Sequence, residues 1–103
     1  MSNPKQLYLQ AALHDDVGTM VELETRNVDK AVDERGNTAL HLAIQMRARN
    51  AIHHLLTERS KQCAVDWFNH KEETAFNFAV RCGDLETMIA IDRIVVSRYC
   101  ASH

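Results

Sequence analysis

Apolar residues recur along the chain in short runs, and polar clusters separate the runs. Within each run the apolar positions lie three or four residues apart, which places them on one face of a helix. The chain is therefore predicted to consist of short amphipathic helices joined by turns. In chain order the runs contain Leu7, Tyr8, Ala11 and Ala12; Val17, Met20, Val21 and Leu23; Leu40, Ala43 and Ile44; Ile52, Leu55 and Leu56; Phe76, Ala79 and Val80; and Leu85, Met88, Ile89 and Ile91.

The runs repeat one order, which is a helix, a break and a second helix. A turn signal at residues 33–37, Asp-Glu-Arg-Gly-Asn, precedes the second unit. Thr38 and Thr74 each stand where a hydroxyl can cap the helix that follows. Stacking the three units aligns four columns of residues and indicates an internal repeat. The columns are Tyr8, Leu40 and Phe76; Ala11, Ala43 and Ala79; Met20, Ile52 and Met88; and Leu23, Leu55 and Ile91.

The repeat resembles the ankyrin repeat, whose period is about 33 residues with a Thr-Pro-Leu-His-x-Ala signature. Residues 38–43 read Thr-Ala-Leu-His-Leu-Ala, Gly36 matches the turn glycine, and residues 83–84 match the break between helices. Glu72 replaces the turn glycine of the third unit, so that turn is expected to be distorted. The resemblance implies an all-α solenoid of three stacked helix-turn-helix repeats with β-turn or hairpin loops. One domain, 1–103, would hold repeats at about 4–31, 32–67 and 68–103.

Composition narrows the class of protein. The formal net charge of −2 argues against a nucleic-acid-binding protein, because such binding is driven by neutralising phosphates. No apolar run is long enough for a membrane span, so neither nucleic acid nor a membrane is an expected partner. We also see no signal peptide at the N-terminus. Three cysteines at unequal spacings form neither a disulfide framework nor a paired zinc motif. This pattern favours a reducing, intracellular compartment, which we expect to be the cytoplasm, with the nucleus as the alternative.

Six histidines and three cysteines raise the question of metal binding or catalysis. The resemblance implies that His41 bonds the backbone of a neighbouring turn. His53 and His54 are adjacent on a helix, so they are expected to lie on a solvated face. Cys63 and Cys82 have no base placed beside them and are interpreted as inert thiols. We therefore expect no metal, no cofactor and no enzymatic activity.

Function is inferred from the resemblance, because ankyrin stacks bind proteins through their hairpin tips and concave helix face. We expect an interaction module that acts as an adaptor, inhibitor or targeting unit on a folded surface or an extended peptide. Trp67 is interpreted either as packed under its hairpin or as exposed. The partner-binding residues predicted by the resemblance are Glu34, Arg35, Asn37, Gln45, Met46, Phe68, His70, Lys71, Glu73 and Arg81.

The last apolar run continues beyond the third repeat, so the last helix is expected to have about 14 residues. The added apolar positions could cap the stack, pair with a second copy or contact a further unit; we favour the cap, and a monomer over a homodimer. A recognition fragment of a larger enzyme is the alternative function. The positions in question are Ile94, Val95, Val96 and Tyr99.

Overall fold

The computed structural model of the protein describes residues 3–26, 28, 30–58 and 65–100, and residues 98–100 by their backbone alone. Within these ranges the all-α prediction is confirmed, and the only β-structure is an isolated bridge between Val32 and Thr38. None of the described helices is long and apolar enough to cross a membrane. The helices are α1 (Pro4–Leu13), α2 (Val17–Leu23), α3 (Ala39–Gln45), α4 (Arg49–Thr57), α5 (Ala75–Cys82) and α6 (Leu85–Cys100), with a 3₁₀ turn at Glu24–Arg26.

The helices pack as three consecutive pairs. Helix α1 contacts α2, α3 contacts α4, and α5 contacts α6. The first helices of the pairs form a row in which α3 lies between α1 and α5, and α4 contacts both α2 and α6. Each pair therefore buries one side against the next pair, as short helices with small apolar faces require.

The first helix of every pair ends in the same way. Asp15, Arg47 and Gly83 each have a positive φ, between 56° and 70°, and lie 32 and 36 residues apart. In each case the following residue donates its N–H to a carbonyl five residues earlier, at 2.8 to 2.9 Å. This left-handed ending satisfies carbonyls at the helix end that would otherwise lack a donor. The backbone thus repeats with the period that the aligned columns predict.

Side chains cap the helices in the two predicted places and in others that were not predicted, at Asn3, Asp16 and Asp84 and at one residue of a different unit. The Thr38 hydroxyl accepts the His41 N–H at 3.3 Å, and the Thr74 hydroxyl accepts the Asn77 N–H at 3.4 Å. Helix α4 begins after Ala48, which has no capping side chain. Instead, the Asp15 carboxylate accepts the Ala51 N–H at 2.7 Å. A residue of the first unit therefore caps a helix of the second.

Two equivalent turns, Asp33–Asn37 and Asn69–Glu73, lie side by side. In each turn the first side chain accepts two backbone N–H groups, at 2.8 Å for Asp33 and 2.9 Å for Asn69. The His70 N–H donates to the Arg35 carbonyl at 2.8 Å, and the Asn69 amide donates to Asn37 Oδ1 at 2.8 Å. These bonds fix the two tips relative to one another.

The expected distortion at Glu72 is absent, so that prediction was wrong. Gly36 has φ 78° and donates its N–H to the Asp33 carbonyl at 3.0 Å. Glu72 has φ 60° and donates to the Asn69 carbonyl at the same distance. The third turn keeps its shape, and Glu72 bears the steric cost of the left-handed conformation, about 1–2 kcal/mol for an L-residue.

Replacing Glu72 with glycine should therefore stabilise the protein. We expect Glu72→Gly to raise the free energy of unfolding by about 0.5–1 kcal/mol, because glycine relieves the strain but loses more backbone entropy on folding. Urea unfolding monitored by circular dichroism measures the change. Gly36→Ala is the opposite control, since its Cβ would lie 2.8 Å from His70 Cδ2 and 3.1 Å from the His70 backbone nitrogen. A loss of stability in Glu72→Gly would contradict this account.

Burial confirms the alanine column throughout, finds one half-buried member in each of two other columns (Leu23 and Met88), and corrects the remaining column. The Ala11, Ala43 and Ala79 column is at most 5% exposed. Tyr8 and Leu40 are each 1% exposed, but Phe76 is 38% exposed, and Val80, also predicted to face inward, is 52% exposed. No described helix follows the third pair to cover those two positions. Phe78 is buried instead.

The prediction of a solvated His53–His54 pair was wrong for His54. His53 is exposed, but His54 is only 8% exposed. Its Nε2 lies 2.6 Å from Glu24 Oε2, which also accepts the Tyr8 hydroxyl at 2.9 Å. This cluster joins α1, the 3₁₀ turn and α4.

Candidate functional site

A groove runs between the two turn tips and the adjoining helices. Its cavity has a volume of about 290 Å³. The turns contribute their paired asparagines and two cations, whereas α5 contributes an apolar floor at Phe78. The complete lining is Arg35, Asn37, Gln45, Asn69, Lys71, Glu73, Phe78, Arg81 and Cys82.

Positive charge predominates in this groove. The Arg81 guanidinium pairs with the Glu73 carboxylate and lies 5.2 Å from the centre of the Phe78 ring. Neither Arg35 nor Lys71 has an ion-pair partner among the residues that the structure describes. Both side chains are exposed. The groove therefore offers two uncompensated cations beside an aromatic ring.

A second cavity, of about 560 Å³, lies between the first and second pairs. Arg35 borders both cavities, so the two are adjacent along the stack. Here Asp33 and Glu34 supply negative charge, and Leu9, Leu13 and Leu42 supply apolar surface. Gln6, Gln10, Val32 and Arg35 complete the lining.

His41 is buried beside the groove and links the start of α3 to the turn that contains Glu73. Its Nδ1 accepts the Thr38 N–H at 3.1 Å, which leaves the proton on Nε2, and Nε2 donates to the Glu73 carbonyl at 2.9 Å. The ring also meets Phe78 edge to face, with centroids 5.0 Å apart. Burial lowers the pKa of His41 to about 4, and the Asp33 carboxylate opposes part of that shift. The prediction that His41 bonds a neighbouring turn is confirmed.

The structure brings most of the predicted partner-binding residues to these cavities. Arg35, Gln45, Lys71, Glu73 and Arg81 line the groove, and Glu34 lines the second cavity. The other four predicted positions are Asn37, Met46, Phe68 and His70, of which Asn37 lines the groove.

Asn37 is the predicted contact residue with the least access to a partner. It is 6% exposed, and its side chain accepts the amide of Asn69. Its contribution is to hold the two turns together. By contrast, Phe68 is 66% exposed, Met46 is 57% exposed, and Trp67 is 37% exposed. His70 is exposed and packs beside Gly36.

Three groove residues were missed by the prediction from sequence: Asn69, Phe78 and Cys82. No sequence pattern singled out these three; Phe78 follows Leu42 by the 36-residue repeat spacing, and Leu42 lines the second cavity, so the same repeat position borders a cavity in both units. Cys82 is a free, half-buried thiol whose Sγ donates a weak hydrogen bond to the Ile44 carbonyl oxygen at 3.7 Å. Cys63 lies outside the described residues.

The four apolar positions at the end of α6 do not form one exposed surface. Ile94 and Val95 are half buried and pack against the core, whereas Val96 is 49% exposed. The side chain of Tyr99 lies outside the described part of the chain. The added length of α6, which has 16 residues, therefore serves partly to cover the third pair.

Among the described residues, no group of three or more His, Cys, Asp or Glu side chains could hold a metal ion. No protein-family model matches the sequence, and no curated protein matches it either. The resemblance to ankyrin repeats therefore rests on the sequence motif that suggested it.

Proposed function

We propose that the chain is an ankyrin-type interaction module that binds another protein through its turn tips and the groove below them. The repeated helix ends and the two linked turns support the repeat assignment, since both recur with the spacing of the signature residues. The proposal assigns binding and no reaction. It also places the protein inside the cell, as its cysteine usage favours.

The observation that carries the proposal is that Arg35 and Lys71, at the rim of the groove, have no ion-pair partner among the described residues. A charge left without a partner at a fixed position can bind an opposite charge without first breaking a salt bridge. Phe78, with Arg81 above it, adds apolar and cationic surface in the same groove. We therefore propose an extended peptide segment with acidic side chains as the bound part of the partner.

Charge reversal in the groove tests this proposal. A random-peptide display library selected on the wild-type protein should yield acidic sequences, and Arg35→Glu plus Lys71→Glu should weaken binding of a selected peptide by at least about tenfold, or 1.4 kcal/mol. Binding is measured by fluorescence anisotropy. At high salt the wild-type affinity should fall, and the difference in affinity between the wild type and the variant should become smaller, because exposed charges are screened.

Arg49→Glu is the matched control. Arg49 is an exposed cation on α4, and it lines a different cavity from the groove. It should leave peptide affinity unchanged. Selection of peptides without acidic residues, or full affinity in the doubly reversed variant, would refute the proposed site.

A further inference from the structure

The third helix pair has an uncovered apolar face. Two repeat positions are buried in the first two pairs. Each residue at these positions is at most 1% exposed: Tyr8 and Ala12 on α1, and Leu40 and Ile44 on α3. Their equivalents on α5 are Phe76 and Val80, which are 38% and 52% exposed. These columns are buried wherever another pair follows. They therefore define the side of each pair that receives the next one.

Helix α6 continues this face. On α4, Arg49 and His53 border a cavity shared with α6 and stay exposed although a pair follows, so they lie at the edge of the side that receives the next pair. Their equivalents, 36 residues later, are Leu85 and Ile89, which are 64% and 46% exposed. The third pair thus has apolar residues where the second has polar ones. A terminal pair facing only water would show the reverse.

We infer that this end face, formed by Phe76, Val80, Leu85, Ile89 and Val96, docks onto the same face of a second copy of the chain in a two-fold symmetric dimer. An isologous contact requires a self-complementary patch. Ile89, Asp92, Arg93 and Val96 lie at positions i, i+3, i+4 and i+7 and share one side of α6. Two antiparallel α6 helices meeting at residues 92 and 93 place Asp92 of each copy beside Arg93 of the other.

The same register pairs the apolar residues. With the axis between residues 92 and 93, Ile89 of one copy opposes Val96 of the other, and the central charges are neutralised. Head-to-tail docking is disfavoured, because the exposed residues of α1 are Lys5, Gln6, Leu7 and Gln10, of which only Leu7 is apolar. The apolar face would then meet a largely polar one.

Sedimentation velocity over a concentration series tests for the dimer. The wild-type chain should show a concentration-dependent monomer–dimer equilibrium, and Ile89→Glu should weaken it by at least about tenfold, since it places two charges in an apolar contact. Val21→Glu is the matched control, because Val21 holds the equivalent position in the first pair and is 49% exposed. It should leave the equilibrium unchanged. Circular dichroism verifies that each variant folds.

A charge-reversal pair tests the two-fold register. Asp92→Arg and Arg93→Asp should each weaken the dimer, because like charges would face one another twice. A mixture of the two single variants should recover association, because each contact then joins opposite charges. Recovery in the mixture is specific to a two-fold contact at these residues.

Three results would overturn the inference. A chain that stays monomeric at every concentration removes the dimer, and a dimer indifferent to Ile89→Glu removes this face. If the wild type is monomeric but binds a different protein, and Ile89→Glu abolishes that binding, then another helix pair occupies the face. Peptide binding in the groove should persist in Ile89→Glu, which separates a failure here from a failure of the proposed binding function.

Discussion

Replacing Leu40 with alanine should lower the free energy of unfolding by roughly 2–5 kcal/mol, the range for truncating a buried leucine. Leu40 is 1% exposed and lies on α3, the helix that packs against both α1 and α5. The substitution opens a cavity where the central pair meets its neighbours. Equilibrium unfolding in urea measures the loss, with the unfolding slope checked for two-state behaviour.

Phe76→Ala is the control, because Phe76 occupies the same repeat position in the third pair. It is 38% exposed, so truncation removes fewer buried contacts and leaves no closed cavity. We expect a smaller loss than for Leu40→Ala at protein concentrations where the chain is monomeric. Both variants must be compared at such a concentration, since any dimer that buries Phe76 would add to its apparent stability. Equal losses in the free energy of unfolding would show that Leu40 and Phe76 are covered by neighbouring residues to the same extent.

Local features of the fold were predictable from the sequence. Thr38 and Thr74 cap helices because a hydroxyl at that position accepts a first-turn N–H whatever surrounds it. The alanine column at residues 11, 43 and 79 is buried throughout, as its small side chains and repeat spacing indicate. The capping depends on residues close in sequence, and the alanine column follows from the repeat spacing.

Coverage by a neighbouring element was not predictable in the same way. Periodicity shows that Phe76 and Val80 share an apolar face, but it does not show whether another helix packs on that face. The pairing of His54 with Glu24 spans 30 residues and follows from how the helices dock. The capping of α4 by Asp15 is likewise a contact between units, and no local pattern marks it.

The candidate site also combines features that were predictable from sequence with others that depend on how the units pack. The repeat signature located the turn tips, so Arg35, Lys71 and Glu73 were identified from sequence and lie at the groove. The signature could not show which charges would be paired. Arg81 bonds Glu73, whereas Arg35 and Lys71 have no ion-pair partner among the described residues, and this difference decides which cations are available for a ligand.

Lowering the pH should destabilise the wild-type protein through His41. The folded pKa is about 4, because burial disfavours the charged ring, whereas the unfolded value is near 6.5. The unfolded chain therefore binds a proton first as the pH falls. The stabilisation from neutral His41 is complete above pH 6.5, declines below it and is lost through pH 4. By pH 5 we expect a loss of about 1–2 kcal/mol.

The variant His41→Asn isolates this contribution, because it removes the titrating ring and copies the residue at the equivalent position, Asn77. It should be less stable than the wild type at pH 7.5, since the bond from Nε2 to the Glu73 carbonyl is lost. The difference between the two proteins should narrow toward pH 5, because the titration of every other group is common to both. A difference that stays constant with pH would mean that His41 titrates alike in the folded and unfolded chains.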